Sequence, residues 1–291
     1  MINVVRYRAV CAIFSACLVA LFIGLAIYNY QKRGEVFSYS VDFTGGTQVL
    51  FKFDKPTTSA SVRDVLATNG WQNAVTREFS SQEVLVRVKE YKTDSRGLAE
   101  NMKQKLGESL QTSVEILQSE TVGAGIGGAL RWKSVRVVLF ALILMLLYIA
   151  STFWSFAFAV GAVVALFHDA FVMLLTYLLF DREISNTAIT AILTVLGYSI
   201  NDTIIIFARI RENLGLMPGA SMGDIVNASV NQTLRRTLLT SFTTGMPVVV
   251  MLLIGGEALF DLSLGLLVGI VFGTYSSIYI ASPIMMLLYR K

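Results

Sequence analysis

Three ionisable residues stand within, or at the edge of, long apolar stretches of this 291-residue sequence. Asp169 follows His168, the only histidine in the chain. Asp202 lies near the end of a later apolar stretch, and Arg236 begins the next one. An ionisable group inside a bilayer costs at least about 2.5–3.5 kcal/mol on insertion scales, so its presence usually indicates a function. A carboxyl group that takes up and releases protons is the chemistry that this placement favours.

The predicted topology brings Asp202 and Arg236 to a similar depth in the membrane. Asp202 lies about six residues, roughly 9 Å, inside the end of its helix, and Arg236 opens the next helix from the same side. An arginine side chain that reaches inward would keep the carboxylate ionised and paired. Asn201 adds an amide next to Asp202. The helix of Arg236 also carries hydroxyl groups on one face, where they could relay protons: Thr237, Thr240, Ser241 and Thr244.

The same residues also fit purely structural roles. An Asp202–Arg236 pair could lock two helices together, or Arg236 could extend to the lipid headgroups. Hydroxyl groups often serve as packing contacts between membrane helices. His168 and Asp169 could form a local structural hydrogen bond or could titrate. As neighbours in sequence they point to different helix faces and need not touch.

The sequence predicts neither a metal site nor an enzyme. Zinc sites need three or four ligands at suitable spacing, whereas this chain has one histidine and two cysteines, Cys11 and Cys17. A phosphate-binding loop is absent, so no cofactor is expected and energy would have to come from an ion gradient, by default of protons. Intramembrane proteolysis by Asp169 and Asp202 is the catalytic alternative that the residue types allow.

Charge and hydropathy divide the chain into one polar segment and several apolar stretches. Hydrophobic residues make up 54% of the chain and charged residues 15%, against roughly a quarter charged in an average soluble domain. Between Tyr30 and Lys133 lie 26 of the 44 charged residues. This pattern excludes a disordered chain and a disulfide scaffold, and it indicates a membrane protein with one polar domain. The net charge of +4 is no indication of nucleic acid binding.

Six apolar stretches are long enough to cross a membrane, for which a helix needs about 20 residues. The first is longer than the apolar core of a signal peptide and predicts an uncleaved anchor. The run at 137–180 holds two helices with a turn near 151–155. The predicted spans are Ala9–Asn29, two within Val137–Phe180, Thr187–Ala208, Thr237–Ile254 and Ser263–Tyr289.

The basic residues of the short loops fall mainly on one side of the membrane, as in cytoplasmic loops. Only Arg182 lies in a short loop on the other side. Both termini are therefore predicted to be cytoplasmic and the polar segment external, because long segments translocate largely regardless of charge. The basic residues counted are Arg6, Arg8, Arg209, Arg211, Arg235, Arg236, Arg290 and Lys291.

The polar segment predicts the element order β-α-β-β-α-β of a ferredoxin-like α+β domain. Strands are predicted at 36–53, 71–79, 83–90 and 113–121, with helices at 59–68 and after Asp94. Gly45 and Gly46 interrupt the first of these strands and predict a bulge or turn there. The predicted fold is thus a bundle of six transmembrane helices with one external ferredoxin-like domain between helices 1 and 2. Its domains are residues 1–29, 30–133 and 134–291, the last with a cytoplasmic segment at 209–236.

Four motifs carry a resemblance that spans essentially the whole chain. They are Val41-Asp-Phe-Thr-Gly-Gly-Thr47, Gly197-Tyr-Ser-Ile-Asn-Asp-Thr203 followed by Arg209-Ile-Arg-Glu-Asn213, Asn231-Gln-Thr-Leu234 with Arg236-Thr237 and Thr240-Ser241, and Ser276-Ser-Ile-Tyr-Ile-Ala-Ser282. In these segments the sequence resembles the SecF proteins of the SecD/SecF family. Asp42, Gly45 and Gly46 belong to the first motif, just after the first span. Ala208 departs from the family pattern, which usually has an aspartate there.

The resemblance implies a fold like that of the resistance–nodulation–division transporters and pairing with SecD. It also implies that proton flow moves the external domains and helps to pull preproteins from the SecYEG channel after the SecA-driven steps. By position, Asp202 is the carboxylate tied to proton passage and Arg236 its basic counterpart. The implied partners are SecD, SecYEG, YajC-like accessory subunits, unfolded preprotein and the lipid bilayer of the bacterial inner membrane.

Two other functions remain open at this point. A structural scaffold of the translocon would need the chain but not its proton chemistry. Half of a small-molecule exporter of the same fold would need an external substrate pocket, whereas a polar domain of roughly 100 residues favours contact with a polypeptide.

Overall fold

The computed structural model describes residues 3–89, 95–123 and 125–289. Two compact units are present, one formed by the chain up to Ser38 together with the chain from Arg136 onward, the other by Tyr39–Val135. The elements in chain order are α1 (Val4–Arg33), α2 (Val41–Thr44), β1 (Gly46–Phe53), α3 (Ser59–Thr68), β2 (Val75–Glu78), β3 (Glu83–Val88), α4 (Ser95–Leu110), β4 (Val114–Val122), α5 (Gly127–Phe153), α6 (Phe156–Leu179), α7 (Asn186–Leu216), α8 (Met222–Ile254), α9 (Gly256–Ser276), a π-helical turn (Ser277–Ala281) and α10 (Ser282–Leu288).

The polar unit is a four-stranded antiparallel sheet with the strand order β2-β3-β1-β4. Alternate residues of β1 face the two helices, as the pleat of a strand requires. The predicted helix at 59–68 and the predicted hairpin are present, and Asp94 and Glu90 lie outside the described residues. The core of this unit includes Val49, Phe51 and Phe53 of β1, Val62 and Leu66 of α3, and Leu98, Met102 and Leu106 of α4.

The prediction of a strand from residue 36 is wrong, because β1 begins only at Gly46. The preceding residues form α2, whose first turn is capped by the Ser40 hydroxyl, which accepts a hydrogen bond from the Asp42 backbone N–H. Gly45 and Gly46 then adopt φ angles of 74° and 113°, which favour glycine. A Cβ atom on Gly46 would lie 2.4 Å from the carbonyl oxygen of Val88. The motif that contains Asp42, Gly45 and Gly46 therefore turns the chain into the sheet.

The membrane unit contains long helices at each of the predicted spans. Among the described residues, six helices are long and apolar enough to cross a membrane. The predicted turn near 151–155 is confirmed, since α5 ends at Phe153 and α6 begins at Phe156. Helix α8 begins at Met222, much earlier than predicted, with the Ser221 hydroxyl accepting a hydrogen bond from Asp224 N–H at its first turn. Arg290 and Lys291 lie outside the described residues.

Helices α7 and α9 approach closely along a stripe of small residues. Gly265, Gly269 and Gly273 of α9 are spaced by four and therefore share one helix face. Cβ atoms built on these glycines would lie 3.2 Å from the Cβ of Ala191, 2.3 Å from Cγ2 of Val195 and 3.0 Å from the Cβ of Ser199, respectively. Small residues at such spacing let membrane helices pack backbone to backbone. This packing sets the distance between α9 and α7, the helix that carries the buried polar residues Ser199, Asp202, Thr203 and Asn213.

Replacing the central glycine is expected to push α7 and α9 apart. In Gly269→Ala the new methyl group would overlap Val195, whose β-branched side chain is stiff within a helix. We expect a loss of about 1–3 kcal/mol in stability, measured as a lower unfolding temperature of the detergent-solubilised protein. Gly215→Ala is the matched control, because nothing lies within 4 Å of its Cβ position. Equal unfolding temperatures for the two variants would contradict the prediction.

Candidate functional site

Asp169 lies on α6 with none of its surface exposed. Its Oδ2 atom accepts a hydrogen bond of 2.5 Å from the Ser199 hydroxyl on α7. Ser276, the last residue of α9, also lies close to this carboxyl group. Within the described part of the chain, the Oδ1 atom has no hydrogen-bond partner. Residues of three helices therefore meet at one buried carboxyl group that still has an unused oxygen.

His168 lies beside this carboxyl group, although neighbours in a helix were expected to face apart. Its Nδ1 atom is 3.5 Å from Oδ1 of Asp169, and its Nε2 atom is 3.2 Å from the Ser15 hydroxyl on α1. The Ser15 hydroxyl is in turn 3.4 Å from the Tyr275 hydroxyl. The imidazole thus lies between the buried carboxyl group and α1.

A cluster of buried hydroxyl groups extends from Ser199 along α7 and the π-helical turn. The Thr203 and Ser277 hydroxyls are 2.9 Å apart, and Ser277 donates to the carbonyl oxygens of Gly273 and Ser199. Single π-helical turns inside α-helices frequently occur at functional sites. Because each hydroxyl can both donate and accept, such a cluster can pass protons by reorienting its hydrogen bonds. Its members are Ser199, Thr203, Ser276, Ser277 and Ser282, each at most 1% exposed.

Asp202 lies at the same face of α7 as Ser199, three residues further along, and is only 1% exposed. Its Oδ2 atom is buried, and no hydrogen bond or ion pair to either carboxylate oxygen is found among the described residues. Buried polar atoms in native proteins are normally hydrogen-bonded, so an exception calls for an explanation. An ionised carboxylate in this position would be strongly destabilised by the loss of water.

Arg236 lies close enough for an electrostatic interaction with Asp202, but the expected direct ion pair is not formed. The Arg236 side chain is exposed at the surface of the bundle, whereas the next residue, Thr237, is fully buried. Successive residues of a helix point in directions about 100° apart, so α8 turns Thr237 inward and Arg236 outward. An approach of the guanidinium to Asp202 would require the side chain to swing inward or α8 to rotate.

The other predicted residues occupy different environments. Asn201 is exposed and makes no hydrogen bond through its amide within the described chain. Thr240 donates to carbonyl oxygens of its own helix, the nearest being that of Thr237 at 2.9 Å. Ser241 lies 2.6 Å from the Thr274 hydroxyl on α9 and accepts from Tyr198 on α7 at 3.4 Å. Thr244 is exposed, so the hydroxyl stripe of α8 is not a continuous path.

Sequence reasoning missed the hydroxyl cluster on α7 and the π-helical turn. Ser199 and Thr203 share one helix face, and Ser277 belongs to the motif at Ser276–Ser282. Their spacing was therefore a visible signal. Uncharged hydroxyl residues are common packing contacts in membrane helices, however, and carry little information without their neighbours.

Among the described residues, no group of three or more histidine, cysteine, aspartate or glutamate side chains lies close enough to hold a metal ion. The polar groups of the candidate site are the carboxyl groups of Asp169 and Asp202, the imidazole of His168, the nearby guanidinium of Arg236 and the hydroxyl cluster. These groups are suited to binding and passing protons.

Comparison with known proteins identifies the family to which the chain is related. The family model of the C-terminal part of SecD/SecF protein export membrane proteins matches residues 102–291, and the SecD/SecF GG motif matches residues 36–57. The second match includes Asp42, Gly45 and Gly46.

Curated relatives and a solved structure agree with these matches. The protein translocase subunit SecF of Thermodesulfovibrio yellowstonii is 37% identical over 89% of this chain and 86% of its own length. The protein translocase subunit SecDF of Thermus thermophilus is 37% identical over 85% of this chain, which spans only 34% of that longer protein. The crystal structure of SecDF from the same organism, described as a translocon-associated membrane protein, aligns with a TM-score of 0.84 and 35% identity over 97% of this chain and 38% of that one. With its membrane-spanning helices and its two family matches, the chain belongs to the SecD/SecF family of protein-export membrane proteins.

Proposed function

We propose that this chain is an auxiliary subunit of the Sec protein-export machinery. It pairs with SecD and uses the proton gradient to help pull preproteins across the membrane after the steps driven by SecA and SecYEG. The family supports the role in protein export, and the site inside the bundle supports proton coupling.

The observation that carries the proposal is the position of the unsatisfied polar atoms. In the described residues of the membrane unit, four buried side-chain atoms have no hydrogen-bond partner: His168 Nδ1, Asp169 Oδ1, Asp202 Oδ2 and Thr237 Oγ1. All four belong to the candidate site or to the helix face next to it. Two carboxyl groups that lack full pairing in the interior are suited to exist in protonated and ionised forms, each stabilised by a different arrangement.

Arg236 provides the arrangement that stabilises the ionised form of Asp202. The structure with Arg236 turned outward favours a protonated Asp202, which needs no counter-charge. When Asp202 releases its proton, the carboxylate attracts the guanidinium, and the movement of α8 or of the side chain then accompanies proton release. Proton uptake neutralises Asp202 and removes the attraction, so the movement reverses. The hydroxyl cluster of α7 and the π-helical turn begins at the hydrogen bond between Ser199 and Asp169 and relays protons to and from that carboxyl group.

The external domain would use this movement. The element order and the strand order β2-β3-β1-β4 support a ferredoxin-like domain, which we assign to residues 30–133 on the periplasmic or extracellular side. Helices α1 and α5 continue directly into it along the chain. A shift of these helices therefore moves a domain that contacts an unfolded preprotein.

The remaining assignments follow from the same proposal. The chain lies in the bacterial inner membrane with both termini cytoplasmic, the side indicated by its basic residues. The longer SecDF relatives support SecD as the direct partner, with SecYEG and YajC-like accessory subunits as neighbours. The protein acts as a transport subunit and not as an enzyme.

Replacing Asp202 with asparagine is expected to abolish the proton-dependent part of translocation. The amide is nearly the same size but cannot carry a proton on and off, and it needs no counter-charge. The measurement is late-stage preprotein translocation in membrane vesicles that contain the full Sec machinery, with a proton gradient imposed in sodium-free buffer. Asp64→Asn is the matched control, because Asp64 is exposed in the polar unit and should behave like the wild type.

The same assay distinguishes the scaffold hypothesis. If Asp202→Asn kept full proton-dependent activity while loss of the whole chain remained harmful, the proton-coupling role would be rejected in favour of a structural one.

Arg236 and its neighbour Arg235 offer a second, closely matched comparison. Arg236→Gln removes the charge that acts on Asp202 and is expected to reduce gradient-dependent translocation to near the level without a gradient. Arg235→Gln removes an equally exposed charge on the same turn and should retain most of the activity. Equal losses in both variants would indicate a general requirement for positive charge at this helix end.

A further inference from the structure

Helix α1 is joined to the rest of the membrane unit chiefly at its two ends. Near one end Asn227 accepts from the Val5 backbone N–H at 3.1 Å, and at the other end Arg33 pairs with Asp181 at 2.7 Å. In the described structure, Val4 and Asn29 are the buried residues of this helix. Its middle is held mainly by apolar contacts, which do not depend on protonation, together with the hydrogen bonds made at Cys11 and Ser15.

Ser15, in the middle of α1, forms the contact that links this helix to the imidazole of His168. Its hydroxyl lies 3.2 Å from His168 Nε2 and 3.4 Å from the Tyr275 hydroxyl. Among the described residues between Val5 and Asn29, the other hydrogen-bonding contact of α1 with a different element is at Cys11, which interacts with the Tyr275 hydroxyl. The Tyr275 hydroxyl donates to the Cys11 carbonyl oxygen at 3.0 Å. Because Cys11 and Ser15 are four residues apart, the contacts of α1 with Tyr275 and His168 all lie on one helical turn.

A neutral imidazole has one nitrogen that donates and one that accepts, and the two are exchanged between tautomers. When Asp169 is ionised, the favourable arrangement has the proton on Nδ1, facing the carboxylate 3.5 Å away. Nε2 is then an acceptor, and the Ser15 hydroxyl donates to it.

When the pair takes up one proton, this arrangement reverses. A proton added at Nε2 is balanced by transfer of the Nδ1 proton to Asp169 Oδ1, which leaves a neutral acid and a neutral imidazole. The N–H at Nε2 now donates to the Ser15 oxygen, and the Ser15 proton turns toward the Tyr275 oxygen, whose own proton already faces Cys11. One proton therefore inverts the direction of the hydrogen bond that holds the middle of α1.

We propose that Ser15 is a positioning residue through which α1 responds to the protonation state of the Asp169–His168 pair. The inference rests on the proposed function, because it gives the movement of α1 a cause. Within the described residues, no charged side chain other than Asp169 itself contacts the pair. The other titratable or polar groups that face it are Cys11 and Ser15 of α1, Ser199 of α7, and Tyr275 and Ser276 of α9.

The composition of the chain makes a direct test practical. His168 is the only histidine, and the only two cysteines, Cys11 and Cys17, both lie on α1. Nitrogen-15 histidine labelling therefore reports on His168 alone. A fluorine label on the exposed Cys17, in a Cys11→Ala background that keeps the backbone carbonyl, reports on α1 alone.

The experiment follows both signals by NMR over a pH titration of the full chain in lipid vesicles. We expect the Cys17 label to shift with the same midpoint as the His168 tautomer change, and Asp169→Asn to remove both changes. Ser15→Ala should leave the His168 change in place and abolish the response of the label. Ser15→Thr, which retains the hydroxyl, should restore it, an outcome that a merely structural role would not produce.

Three results would overturn the inference: a His168 signal that does not change, a label that does not follow it in the wild type, or a label that still follows it in Ser15→Ala. None of these measurements involves translocation. Failure of the proposed function in the Asp202 assay and failure of this inference are therefore separate results.

Discussion

The close approach of α7 and α9 is the contact on which the polar interior of the bundle depends. Three glycines of α9 allow its backbone to lie against Ala191, Val195 and Ser199. Hydroxyl groups form their best hydrogen bonds at about 2.5–3.0 Å and none at about 3.6 Å, so a separation larger by the width of a methyl group would break those that cross between the helices. The bond between Ser199 and Asp169 and the contact between Thr203 and Ser277 both lie in or beside this region.

Such packing lets the membrane unit bury many polar groups without unfolding. Backbone carbonyls of α7, of α9 and of the π-helical turn accept most of the serine and threonine protons of the hydroxyl cluster, which satisfies them at little cost. The carboxyl groups are treated differently, since Asp169 is partly paired and Asp202 is not paired. A structure that satisfies its hydroxyl cluster but leaves its two buried acids incompletely satisfied is least stable at groups that a bound proton would neutralise.

The polar unit shows a different balance of local and long-range forces. Its helices and the hairpin were predictable because hydrophobic periodicity is visible within a short window of the sequence. Its entry was not, since residues 36–45 have the composition of a strand. The Ser40 cap and the positive φ angles of Gly45 and Gly46 override that composition. Specific caps and backbone angles at the end of a segment can therefore outweigh the average β propensity of its residues.

The sequence alone determined the number of membrane spans, the presence of a polar domain between the first two, and the candidate proton-binding residues of the membrane interior. These properties are sums of hydrophobicity and charge along the chain. Tertiary structure decided that Arg236 faces outward, that His168 contacts both Asp169 and Ser15, and that the hydroxyl cluster belongs to α7 and the π-helical turn. Each of these depends on the rotation and separation of helices far apart in sequence, and the pattern of residues along a single helix contains no information about such contacts.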